Sequence, residues 1–231
     1  MQAVGLGTLP VMVAGVPDVL RPLLDQVVSQ GWPSSISSSR APARRGWTSC
    51  RASKALPLLD VQKFFDTVPW EFVVKAVERV TDARWVLPYV KRWLAAPLQH
   101  PDGTLEERDK GTPQGSAVSP VLANLFMPVA FDAWMVRNFL GCPFERYADD
   151  AVVHCVSKRQ AEAVLAAIAA RISEVDLALH PDKTRIVYCK DGKRRGEHEH
   201  TSFTFLGFTF RARKARNRGG GYYTGFLGSP G

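Results

Sequence analysis

From Leu58 onward the sequence predicts an α+β domain, an antiparallel sheet backed by helices. Two observations carry that expectation. The strand-like runs Phe144 to Tyr147 and Ala151 to Val156 are separated only by Ala148-Asp149-Asp150, as in a tight β-hairpin. After Ser157, the apolar residues Ala161, Val164, Leu165, Ile168, Ile172 and Val175 recur three and four apart, the face of an amphipathic helix broad enough to cover a sheet.

In chain order, the first 55 residues are set apart. Ser34 to Ser39 and Arg40 to Arg45 form a Ser, Ala, Pro and Arg run with neither helical nor strand periodicity, so residues 1–55 are expected to be a partly disordered leader. One short helix is expected within it, at Val19 to Val28, with Leu20, Leu23, Leu24 and Val27 on one face. Residues 56–210 form the expected folded domain. It opens on an apolar strand, Leu58 to Val61, followed by a helix with Pro69 in its first turn and Val73, Val74, Val77 and Val80 along one face. A second helix turns Val86, Tyr89, Val90, Trp93 and Leu94 inward. Pro101-Asp102-Gly103 makes a turn, and Ser119-Pro120 caps and starts a helix that buries Leu122, Leu125, Phe126, Val129 and Ala133. The first hairpin and the long helix capped by Ser157 come next. Leu177 to Leu179, the loop His180-Pro181-Asp182-Lys183 and a strand, Arg185 to Tyr188, follow them. Phe203 and Phe205, then Leu206-Gly207, then Phe208 and Phe210, alternate as a small second hairpin does. Residues 211–231 hold five basic side chains between Arg211 and Arg218 and are expected to be a flexible basic tail.

With 231 residues, 45% of them apolar, the chain can bury one sizeable core. Its 30 Lys and Arg against 22 Asp and Glu leave a net charge of +8 and a pI near 9.5, which favours a polyanionic partner such as nucleic acid. Cys50, Cys142, Cys155 and Cys189 form no CxxC pair and are too few for a disulfide framework, which fits reduced thiols in a cytoplasm. The apolar stretch Ala3 to Val16 has no Lys or Arg before it and is interrupted by Pro10. It is also shorter than the ~20 residues of a membrane span, so no signal peptide, anchor or membrane partner is expected. His198-Glu199-His200 carries ligand-type residues, but neighbours at i and i+2 on a charged loop form a solvated face, and no zinc is assigned there.

Three aspartates concentrate the chemistry. Asp149 and Asp150 are adjacent in a hairpin turn, and carboxylates so close repel unless a cation sits between them. Asp60 ends the apolar run Leu58-Leu59, and a neighbouring place in the sheet would bring it beside the pair, completing an all-oxygen cage suited to Mg²⁺. Two such ions can activate a 3′-hydroxyl and neutralise a leaving pyrophosphate in an in-line phosphoryl transfer, which is nucleotide addition.

Tyr147-Ala148-Asp149-Asp150 resembles the YxDD box of reverse transcriptases, preceded by Phe144-Glu145-Arg146 as in the group II intron family. Four more segments follow that family's order. Asp60-Val61-Gln62-Lys63-Phe64-Phe65-Asp66 resembles its first catalytic motif and Gly111-Thr112-Pro113-Gln114-Gly115 its nucleotide-side loop. Leu179 to Thr184, with Lys183, resembles its lysine motif, and Phe205-Leu206-Gly207-Phe208 its primer grip. Five ordered motifs are far more specific than any one of them.

The resemblance to group II intron-encoded reverse transcriptases and maturases implies a polymerase palm in which Asp60, Asp149 and Asp150 hold two Mg²⁺ ions, helped by the backbone carbonyl of Val61. Mn²⁺ is an expected substitute. The same resemblance implies that Phe65 excludes a ribose 2′-hydroxyl and that Gln114 and Gly115 contact the incoming deoxynucleoside triphosphate. It also implies that Lys183 lies near the phosphates as a proton donor and that Tyr147, Leu206 and Gly207 hold the primer end. The implied partners are an RNA template, a DNA primer, deoxynucleoside triphosphates and a group II intron RNA.

Departures from the family pattern bear on activity. Its fingers region ahead of the first catalytic Asp and its helical thumb after the primer grip are expected to be largely missing. Leu58 stands where many relatives carry a second acidic residue, and Ser116-Ala117 replaces the usual pair after the PQG box. The expected function is an RNA-directed DNA polymerase of weak activity; the alternative is a catalytically silent RNA-binding remnant of a maturase. Three intact aspartates favour the polymerase, and Phe65 disfavours a ribonucleotide enzyme.

Overall fold

The computed structural model describes residues 53–112, 119–191, 194, 197–216 and 219–230. The segment Val19 to Val28 and the nucleotide-side residues Gln114 and Gly115 lie outside the described residues. β1 (Ala55–Leu59) leads through a one-turn helix, α1 (Phe64–Thr67), into α2 (Trp70–Val80) and α3 (Val86–Leu94). A short ribbon, β2 (Leu98–Gln99) and β3 (Leu105–Glu106), precedes α4 (Ser119–Met127), which runs through a π-helical turn at Pro128–Asp132 into α5 (Ala133–Asn138). Then come the hairpin β4 (Phe144–Tyr147) and β5 (Asp150–Val153), the long helix α6 (Lys158–Ser173) and β6 (Arg185–Tyr188). β7 (Ser202–Phe205), β8 (Phe208–Arg216) and β9 (Tyr222–Pro230) complete the fold.

The central sheet is antiparallel, as the sequence predicts, and its strands lie in the order β4-β5-β1-β6. Strand alternation divides its side chains between two cores. Ala55, Leu59, Ala151, Val153 and Cys155 face the helices, whereas Leu56, Leu58, Val152, Val187 and Cys189 face Phe203, Phe210 and Phe226 of the second sheet, β7-β8-β9. The helical layer follows the expected spacing: α2 buries Val73 and Val77, and α6 buries Ala161, Val164, Ile168 and Ile172. The cap of α6 is reciprocal. Ser157 Oγ accepts from the Gln160 amide at 3.1 Å while the Gln160 side chain accepts from the Val156 amide at 2.8 Å.

Four expectations are corrected. β1 begins at Ala55 rather than Leu58, despite Pro57. Ala55 and Cys155 exchange backbone hydrogen bonds, so Pro57, two residues on, stands where an amide would be due to β5. The strand tolerates the missing donor because its other edge still pairs Pro57 with Ile186. On α3, Tyr89 is 42% exposed, because Val86, Val90 and Leu94 already fill the inward face; Tyr89 lies against Trp85 and Trp93 on the flank.

The helix that starts at Ser119 buries Leu122, Leu125 and Phe126 as expected, but then Ala130, Phe131 and Met135 in place of Val129 and Ala133. Pro128 has no amide to continue the α-helical ladder, and the π turn it opens advances the buried face by one position. The fourth correction concerns residues 211–231, read as a flexible tail. β8 continues unbroken to Arg216, and β9 pairs with it from Phe208↔Pro230 to Arg216↔Tyr222. Gly220, at φ 83, supplies the left-handed turn, and the alternation of β9 supplies a partner for the basic strand.

Candidate active site

Local backbone geometry positions the carboxylates. Tyr147 pairs with Asp150, so β4 and β5 are joined by Ala148 and Asp149 alone. Such tight hairpins require left-handed backbone, and Ala148 adopts it at φ 52. Leu59 pairs with Ala151, and one further step along that register sets Asp60 across from Asp150. Asp60 is thus carried to the hairpin by the strand that precedes it, as the sequence predicts.

Val61 bridges to Leu179, flanked by hydrogen bonds from the His180 amide to the Asp60 carbonyl and from the Gln62 amide to the Ala178 carbonyl, both at 2.8 Å. In an antiparallel ladder this leaves Val61 in a non-hydrogen-bonded pair, so its own carbonyl points to the other side, that of the β4–β5 hairpin. The 178–180 segment also brings in the lysine loop. Lys183 Nζ donates to Asp60 Oδ2 at 3.0 Å.

The electrostatics are those of a crowded anionic site. Burial raises the Asp149 carboxyl, with Asp60 adding to the effect and a backbone hydrogen bond, Lys183 and Arg146 opposing it. Asp150 keeps an exposed face, yet the surrounding protein, and then the charges of Asp149 and Asp60, push it up to about 6. Lys183 is raised in turn, first by its hydrogen bond to Asp60 and then by that carboxylate's charge. Among the described residues no three His, Cys, Asp or Glu side chains close into a finished metal cluster, and Asp60 is engaged with Lys183. The donor set nevertheless fits Mg²⁺: the Asp60 charge raises Asp149, and Asp149 and Asp60 raise Asp150, a crowding of hard carboxylates that a shared divalent cation would relieve.

Around the carboxylates, Lys63 takes a left-handed φ of 47, starting α1 so that Phe64 enters the core while Phe65 stays half-buried. The Phe65 carbonyl accepts from the Thr112 amide at 2.6 Å, and Trp70 Nε1 donates to the Gly111 carbonyl at 2.6 Å. These bonds tie Gly111 and Thr112 to α1 and to the start of α2. A Cβ at Gly111 would come within 2.5 Å of the Asp66 carbonyl oxygen, and its φ is 77, so only glycine fits there. Leu206 and Gly207, at φ 50 and 77, form the two-residue turn of the β7–β8 hairpin, and Leu206 is exposed. Tyr147, also exposed, precedes the carboxylate turn. A cavity of about 660 Å³ lined by Lys63, Trp70, Asp109, Lys110 and Ala178 lies beside this region and does not include the three aspartates.

Sequence reasoning missed one supporting pair. Arg146 Nε and Nη2 donate to the two carboxylate oxygens of Asp132, each at 2.7 Å, and Nη1 donates to the Ala148 carbonyl at 2.6 Å. Both side chains are buried. The signal in the sequence is a charged residue, Arg146, at a position of β4 that alternation turns inward.

A four-stranded antiparallel sheet, helices on one face and carboxylates at a hairpin turn define a nucleic-acid polymerase palm. The reverse transcriptase (RNA-dependent DNA polymerase) family matches residues 18–210, and the chain belongs to that family. Within it the likeness is to the group II intron type. The match begins inside the segment set apart as a leader. Protein YkfC of Escherichia coli is 26% identical over 192 residues, which span 68% of this chain and 47% of that protein. A Saccharomyces cerevisiae protein described as a COX1/OXI3 intron 1 protein is 31% identical over 77 residues, 33% of this chain and 9% of its own length. The chain therefore spans about half of the first relative and a small part of the second. Among solved structures, apo telomerase of Candida tropicalis truncated from its C-terminal domain superposes with a TM-score of 0.60 at 10% identity, over 91% of this chain and 48% of that one. Telomerase of Candida albicans, in complex with a fragment of telomeric RNA, gives 0.52 at 12% identity, over 88% of this chain and 34% of that one. At such identity the likeness is one of fold. No helix among the described residues is long and apolar enough to cross a membrane.

Proposed function

We propose that this chain is the catalytic palm of an RNA-directed DNA polymerase of the group II intron type, extending a DNA primer on an RNA template. The observation that carries the reading is the gathering of Asp60, Asp149, Asp150 and Lys183 at one end of the central sheet, with Thr112 tied to the Phe65 carbonyl of α1.

Asp60, Asp149, Asp150 and the Val61 carbonyl would hold two Mg²⁺ ions, for which Mn²⁺ can substitute. When bound, the ions lower the charge on the attacking and leaving oxygens of an in-line phosphoryl transfer. Lys183, whose hydrogen bond to Asp60 strengthens its hold on its proton, contributes positive charge where a triphosphate would lie. The half-buried Phe65 ring bounds the sugar position and leaves no room for a 2′-hydroxyl. Gln114 and Gly115 contact the incoming deoxynucleotide, and the strained Leu206-Gly207 turn, with Tyr147, holds the primer end. A group II intron RNA is the natural further partner, given the intron protein among the relatives. The cationic β8–β9 ribbon favours a second reading, an RNA-binding protein without catalysis.

Sugar selection separates the two. On poly(rA)/oligo(dT) with Mg²⁺ the parent should incorporate dTTP over UTP, and Phe65→Val should raise the share of UTP. Absence of any incorporation supports the silent reading; an unmoved ratio in an active protein shows that Phe65 serves only the core.

A further inference from the structure

We infer that the free end of the β8–β9 ribbon is a binding site for single-stranded nucleic acid, with Lys214 and Arg216 meeting phosphates and Tyr222 stacking on a base. The inference deepens the polymerase reading and rests on it for the source of the strand, a template or a product, but not for the binding itself.

The cross-strand pairs Lys214↔Thr224 and Arg216↔Tyr222 are two residues apart, so all four side chains share one face of the ribbon. The pairing of β7 with β8 ends at Ser202↔Arg211, and this distal part extends past it as a two-stranded ribbon. Tyr222 is 77% exposed, where a structural aromatic would be covered. A shallow groove of about 340 Å³ runs between Lys214, Tyr222, Tyr223 and Thr224. Arg211 and Arg213 carry two more charges on the other face, and β7, β8 and β9 contain no Asp or Glu.

Cations alone suit any polyanion. An exposed aromatic beside them selects one whose bases are unpaired, because a duplex keeps its base faces stacked inside. Distance sets the site apart from the Leu206-Gly207 turn. From Phe208, next to that turn, to Arg216 the strand rises roughly 26 Å at about 3.3 Å per residue. A strand held at the distal end is thus gripped far along the ribbon from that turn.

The test is fluorescence anisotropy of a labelled 12-nucleotide oligo(dT) or oligo(rU) with the full chain in EDTA, so that neither metal nor catalysis enters. Tyr222→Ala should weaken binding roughly five- to hundredfold, the range for loss of one stacked base, and Tyr222→Trp should restore it. Lys214→Gln should lower the slope of log affinity against log salt by about 0.7. Asp149→Asn should bind at least as well as the parent, which keeps failure of the binding site distinct from failure of the active site. Parental affinity and salt slope in both Tyr222→Ala and Lys214→Gln would overturn the inference, as would equal affinity for a blunt duplex.

Discussion

Arg146 grips both carboxylate oxygens of Asp132 at 2.7 Å and the Ala148 carbonyl at 2.6 Å, joining the π-helical turn to the hairpin that carries Asp149 and Asp150. The tie spans the helical layer and the sheet, and it fixes the backbone at Ala148, whose φ of 52 is unfavourable for a side chain. Removing one member leaves the other charge buried. Arg146→Met should therefore cost about 3–5 kcal/mol of stability in urea unfolding, and adding Asp132→Leu should recover most of the loss. A single variant as stable as the parent would remove the pair from the account of what holds the turn.

Gly111 makes a second, independent prediction. A methyl group there meets backbone rather than a movable side chain, at a φ of 77. Gly111→Ala should lower stability by at least about 2 kcal/mol, read as a fall in melting temperature. An unchanged melting temperature would show that the loop is not held to α1 as described.

Stability should also depend on His154. Burial lowers its pKa from 6.5 to about 4, and its ring lies 3.2 Å from Ser53 Oγ. The unfolded chain binds the proton more readily, so this contribution is complete above the unfolded pKa and is lost as pH falls from about 6.5 through about 4. The loss is on the order of 3 kcal/mol. His154→Gln should flatten that part of the stability curve; curves that stay parallel over the interval would contradict a buried neutral imidazole.

Much of this was legible in the sequence because period and spacing survive folding. Ala161, Val164, Ile168 and Ile172 announce α6, and the runs around Ala148-Asp149 announce the hairpin. What was not legible depended on a partner distant in sequence or on a change of period. Pro128 shifts the buried face of its helix, and nothing local shows that Ala130 and Phe131 replace Val129. The basic run from Arg211 reads as solvated until β9 is seen beside it. In the candidate site, the carboxylate pattern pointed to Asp60, Asp149 and Asp150 and the family resemblance to Lys183, whereas the Arg146–Asp132 tie needed three dimensions.

Lys183 competes with any cation for Asp60. Lys183→Gln should bind Mn²⁺ a few fold more tightly in calorimetry while slowing extension, because it frees a ligand and removes a charge from the triphosphate side. Weaker metal binding in the variant would mean that the lysine supports the metal site rather than occupying it.

The central claim is that Asp60, Asp149 and Asp150 act together through metal ions to add deoxynucleotides. Primer extension on poly(rA)/oligo(dT) with Mg²⁺, run for the parent beside folded Asp149→Asn, tests it most directly. The expected result is dTTP incorporation by the parent, abolished by EDTA and reduced to background in the variant. Equal incorporation by Asp149→Asn, or incorporation that persists in EDTA, would contradict the claim.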